Sequence, residues 1–144
     1  MSAGLAGVCL ALLAANGVIT DPAVFVPVTR FTLAWTHSIE KVRWEEDYVV
    51  QAGQLPGAAP VLAAVAARIH GSGAGMEPPP DARLVRGWYE YTPTLRHPAE
   101  LRLTRSGFTA DYDWCAEGIC RSMADVLPSN GGVTVLTACR SAPP

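Results

Sequence analysis

Two strictly alternating segments, set four residues apart, narrow what this chain can fold into more than any other feature. In Phe31-Thr-Leu-Ala-Trp-Thr-His37, the residues Phe31, Leu33 and Trp35 fall on one face, with Thr32, Ala34 and Thr36 on the other. That period of two marks a half-buried strand. Val42–Val50 repeats it, placing Val42, Trp44, Glu46, Tyr48 and Val50 together and Arg43, Glu45 and Asp47 opposite. The residues between them, Ser38-Ile39-Glu40-Lys41, suit a hairpin connection.

The rest of the chain follows the same idiom. Twelve Pro and thirteen Gly separate short apolar runs, which predicts strands and turns rather than long helices. Val8–Leu13 reads as a buried strand, followed by a type I′ hairpin turn at Asn16-Gly17. Gln51–Pro60 is a Gly/Pro loop. Val61–Ile69 is Ala-rich and helix-compatible by propensity, but Val61, Ala63, Val65, Ala67 and Ile69 also share one strand face, and strand is the reading adopted. Trp88–Tyr91, Glu100–Thr104, Phe108–Cys115 and Val133–Ala138 complete the set. With no repeat and no linker, the expectation is one all-β domain over residues 1–144, frayed at 1–7 and 140–144. Its architecture is an antiparallel β-sandwich or partly closed barrel of about seven to nine short strands.

Composition excludes several classes. At 144 residues and 49% hydrophobic, the chain can bury a core and is not of the disordered class. A net charge of −2 with scattered Arg residues argues against nucleic acid, and no apolar run is long enough to predict a membrane-spanning helix. Trp35, Trp44, Trp88 and Trp114 all fall on predicted strands and read as core. The apolar stretch Gly4–Ala15 has no Lys or Arg before it, the first basic residue being Arg30. It therefore reads as a strand rather than as a signal segment.

Four cysteines pull towards export. In Trp114-Cys115-Ala116-Glu117-Gly118-Ile119-Cys120, a two-residue turn at Glu117-Gly118 sets Cys115 opposite Cys120 at a non-hydrogen-bonded site, with Cα atoms about 4.5 Å apart, within disulfide reach. Cys9 and Cys139 are left near the two ends of the chain, where a bridge would close nearly all of it into one loop. The alternatives are four free thiols in a cytosolic chain, or zinc, for which a second close pair or a flanking His is missing. Paired cysteines favour a periplasmic location, whereas the missing export signal favours a cytoplasmic one.

The chemistry-bearing residues cluster in two irregular places. His37-Ser38-Ile39-Glu40-Lys41, with Glu45 and Glu46 just beyond, packs ionisable groups into a hairpin between aromatic strands. A His at a strand end titrates near neutrality and can orient a ligand or act as a general base. It can equally just fix the turn. No helical H-E-x-x-H spacing accompanies it, so no metal is expected, and Ser38 lacks a nucleophile elbow. Gly71-Ser72-Gly73-Ala74-Gly75-Met76 misses both the P-loop and G-x-G-x-x-G patterns, yet a run of exposed amides can form an anion nest.

The segments Phe31–Lys41, Glu45–Tyr48 and Gly71–Pro80 together resemble a bacterial family of small proteins of unknown function, commonly encoded beside TRAP transporters of the TAXI type. The likeness runs from about Val8 to Cys139. It rests on His37-Ser38-Ile39-Glu40 and on the Gly-Ala-Gly loop in combination. The resemblance implies a first strand at the N-terminal apolar stretch and an accessory role in uptake of small organic acids; it carries no catalytic residues. The expected function is therefore a non-enzymatic accessory or organic-anion-binding module with no cofactor, using His37, Ser38, Glu40, Lys41, Glu45, Glu46, Ser72, Gly73, Gly75 and Met76. The alternatives are a structural partner of the transporter's binding component, or an enzyme using His37 with Glu40 or Glu46.

Overall fold

The structure, a computed structural model, describes residues 4–19, 24–36, 41–71 and 79–141. Eleven strands run through them: β1 (Ala6–Leu12), β2 (Val24–Val26), β3 (Arg30–Thr36), β4 (Arg43–Gln51), β5 (Val61–His70), β6 (Arg83–Val85), β7 (Trp88–Tyr91), β8 (Leu101–Thr104), β9 (Asp113–Ala116), β10 (Ile119–Ser122) and β11 (Val133–Arg140). The only helical segment among the described residues is a 3-10 turn at Met123–Asp125. Two antiparallel sheets result, ordered β2-β1-β11-β8 and β10-β9-β3-β4-β5-β7-β6. They stack as a sandwich and do not close into a barrel. The count exceeds the expected seven to nine because β2 and β6 have three residues each, too few to show an alternation. Pairing begins at Ala6 with Arg140, so the stretches expected to fray are held at their inner residues.

The alternation explains the core. Val8 and Leu10 of β1, Leu103 of β8 and Leu136 of β11 face Phe31 and Leu33 of β3, Tyr48 and Val50 of β4, Leu62 of β5 and Trp114 of β9. Phe31 stacks between Trp114 and Tyr48, with ring centroids 4.6 and 5.3 Å away. Burying each such side chain contributes roughly 1.5–3 kcal/mol.

Three local expectations are corrected. Val61–Ile69 is a strand, but its side chains do not keep one face. Asp47 pairs with Ala66 and Tyr48 with Ala64, leaving Val65 as the extra residue of a β-bulge, which reverses the alternation. Leu62 and Ala64 therefore face inward before the bulge, and Ala67 and Ile69 after it. Phe108–Cys115 is a strand only from Asp113: Phe108 is 98% exposed. Arg105, only 3% exposed, grips both Asp111 carboxylate oxygens at 2.9 and 2.8 Å and donates to Thr134 Oγ1 at 3.0 Å, folding the chain between them into a loop. At Asn16-Gly17 only Gly17 is left-handed, at φ +85°. Its N–H bonds Ala14 C=O, giving a turn followed by a left-handed glycine rather than a type I′ turn.

The cysteine reading holds. Cys115 pairs with Cys120 across a turn in which Glu117 and Gly118 have φ of +55° and +79°, and the disulfide spans 4.0 Å between Cα atoms. Cys9 and Cys139 also form a disulfide. They sit diagonally on neighbouring strands, since Cys9 opposes Thr137 and Cys139 opposes Gly7. In the chain-entropy account the long bridge, 130 residues in separation, contributes about 5 kcal/mol, against about 2 kcal/mol for the short one. No helix among the described residues is long and apolar enough to cross a membrane.

Candidate functional site

One end of the seven-stranded sheet holds the described residues that flank the segments singled out from the sequence. Thr36 pairs with Arg43 and Trp44 with Ile69, so β3 ends, β4 begins and β5 ends side by side. A Cβ on Gly71 would lie 4.0 Å from Val42 Cγ1. Thr36, Lys41 and Gly71, the described residues that border 37–40 and 72–78, lie at this edge. His37, Ser38 and Glu40, and likewise Ser72, Gly73, Gly75 and Met76, lie outside the described residues. Lys41, Glu45 and Glu46 are described, and the structure places them in three different environments.

Lys41 is exposed and left-handed, at φ +60°. Two other non-glycine residues share that conformation, Arg86 at +51° and Glu117 at +55°. Each is followed by a glycine in a two-residue turn between paired strands, where a positive φ is required. Lys41 is followed by Val42, so no such turn accounts for its conformation. Its ammonium has no ion-pair partner among the described residues.

Glu45 and Glu46 are adjacent on β4 and so point to opposite faces of the sheet; they do not form one surface, which corrects the expectation that grouped them. Glu45 lies on the outer face in a ladder of charges. Arg43 donates to it at 2.9 Å and Arg68 at 2.6 Å. Arg43 also reaches Asp113 at 3.0 Å, and Arg68 grips Asp47 at 2.9 and 3.2 Å. The Thr32 hydroxyl donates to Asp47 at 2.6 Å. Burial pushes the Glu45 carboxyl up, but the hydrogen bonds from Arg43 and Arg68 outweigh it and hold the group below the usual carboxylate range. Arg43 and Arg68 are thus committed to carboxylates.

Glu46 lies on the inner face, in a row that runs Leu33–Glu46–Ala67–Tyr91 across β3, β4, β5 and β7. The next row towards the sheet's end is Trp35–Trp44–Ile69–Tyr89. Its one hydrogen bond comes from the Tyr48 hydroxyl at 2.8 Å, and no cation pairs with it among the described residues. Trp35 stacks on Trp44 at 6.0 Å and meets Tyr112 at 5.6 Å. Trp44 Nε1 is buried with no hydrogen-bond partner. Burial first, then the Glu46 charge, raises the phenols of Tyr48, Tyr91 and Tyr112. Of these aromatic neighbours, the sequence marks Trp35 and Trp44 as core. The available signal was an acid at an inward position of the alternation, between Trp44 and Tyr48.

Among the described residues no three His, Cys, Asp or Glu side chains gather to hold a metal. One shallow surface cleft of about 490 Å³ lies at the opposite end of β3, between Val28–Thr32 and the Cys115–Cys120 hairpin. A family model, that of the Domain of unknown function (DUF1850), matches residues 31–123, the span from β3 to the 3-10 turn. No curated protein and no solved structure matches the chain.

Proposed function

The chain belongs to the DUF1850 family, and from that premise we propose that it is a non-enzymatic accessory module of a TRAP-type uptake system that binds a small organic anion. Lys41 carries this reading. It is an exposed cation in a left-handed conformation that no two-residue turn accounts for, set where three strands of the larger sheet meet. Residues held in sparsely populated backbone regions concentrate at binding sites, and an ammonium without a carboxylate neighbour is available to an anion. Arg43 and Arg68 are not, being paired already. In this reading His37 and Ser38 supply further donors, and the amides around Ser72, Gly73 and Gly75 supply a nest. The link to the transporter rests on the resemblance of the motifs. Two disulfides suit a periplasmic site of action.

Isothermal titration of the full chain with succinate tests this. Binding that is saturable in the parent and absent in the double variant His37→Ala/Lys41→Ala, with the fold intact by circular dichroism, supports it; equal binding in both removes it. A second reading, a structural partner of the transporter's binding component, draws on β10. All four of its residues are exposed, it forms an edge of the larger sheet, and Ile119 is 68% exposed. Such an edge can accept a strand from another chain. Capture of the transporter components that Ile119→Lys abolishes and Lys41→Ala leaves unchanged would favour it.

A further inference from the structure

We infer that Glu46, together with Trp35, Trp44, Tyr91 and Tyr112, forms a binding site for a small organic ammonium ion. The inference is independent of the anion reading and uses the other face of the sheet. Its first ground is a charge imbalance. Glu46 stands on the apolar face between Leu33 and Ala67, where an uncompensated carboxylate is costly. Its single partner is a phenol. The nearby guanidiniums of Arg43 and Arg68 are on the opposite face, held by Glu45, Asp47 and Asp113.

The second ground is what surrounds that charge. Trp35, Trp44, Tyr91 and Tyr112 are each only partly buried, so their rings form a wall that solvent reaches. Ala67, between Glu46 and Tyr91 in the cross-strand row, is only 2% exposed and is covered by its longer neighbours. Two strand spacings, about 10 Å, separate their Cα positions, within reach of two long side chains meeting over an alanine. A carboxylate flanked by indole and phenol rings matches an alkylammonium ion: the acid supplies the countercharge and the ring faces attract the cation.

The third ground is the Trp44 indole N–H, buried and without an acceptor. Buried donors are nearly always paired. An ammonium compound that also carries a hydroxyl or carbonyl oxygen would satisfy it once the ring turns to admit the ligand.

The test is a fluorescence titration of the full chain with choline chloride against a sodium chloride control of equal ionic strength. Saturable quenching of tryptophan emission is expected. The neutral isostere 3,3-dimethyl-1-butanol should bind at least tenfold more weakly. Glu46→Gln should weaken choline binding at least tenfold, while Glu46→Asp, which keeps the charge, restores part of it. Lys41→Ala should leave choline binding unchanged, and succinate should not compete. That separates this site from the anion reading. No saturable quenching, equal binding by the neutral isostere, or an unchanged affinity in Glu46→Gln would each overturn the proposal.

Discussion

Glu45 and Glu46 are neighbours in sequence and opposites in circumstance. Glu45 is bonded by two guanidiniums in a ladder that runs from Asp113 through Arg43 and Arg68 to Asp47. Glu46, one peptide away, has a phenol and a ring of aromatic neighbours. The outer face has every carboxylate of that ladder paired and so contributes to stability. The inner one is incomplete and so is where a ligand has something to add. A carboxylate's role is set by its partners, and a single step along a strand exchanges all of them.

The two faces should fail at opposite ends of the pH scale, which gives the sharpest test of the contrast. On the inner face Tyr48, Tyr91 and Tyr112 have phenols raised by burial and then by Glu46. A raised folded-state value means stability that is complete below the unfolded value near 10 and is lost as pH rises through the folded one. Urea midpoints should be level up to about pH 10 and then fall, Tyr48 alone contributing about 1.4 kcal/mol per pH unit. A level profile through pH 12 would break the picture of a partly buried, charge-bearing inner face. On the outer face, Arg68→Ala takes from Asp47 its guanidinium and from Glu45 one of two, and should cost about 1–2 kcal/mol in chemical denaturation.

Glu45 is depressed in the folded state despite its burial. Its contribution is therefore present above the ordinary carboxylate value and disappears as pH falls through the folded one. Acid unfolding should start at a higher pH in Arg68→Ala than in the parent, and identical acid limbs would show that the ladder is decorative. The smallest effect is expected from Glu46→Gln, which removes the uncompensated charge. A gain of about 0.5 kcal/mol at neutral pH is anticipated from calorimetry; a loss above 1 kcal/mol would mean that Glu46 is structural.

Much of this architecture was legible in residue order. The alternation of Phe31–His37 and Val42–Val50 predicted β3 and β4, and Glu117-Gly118 between cysteines predicted both the β9–β10 turn and its disulfide. Patterns failed where a tertiary contact took over. Val65 bulges out of β5, so an unbroken count of alternate residues assigns half of them to the wrong face. The Arg105–Asp111 grip ends any strand before Asp113, and nothing local announces it. Glu45 and Glu46 are successive residues of β4, so the strand period itself sets them on opposite faces. Of the expected anion contacts, only Lys41, Glu45 and Glu46 fall within the described residues.

The Cys9–Cys139 bridge joins the first strand to the last where they lie side by side. A mechanical load applied through the two ends of the chain would therefore pass from one end to the other across a single covalent bond. The sandwich between them would bear none of it. Such a domain can hang from one attachment point, or link two, without being unravelled from its ends. That security lasts as long as its surroundings stay oxidising.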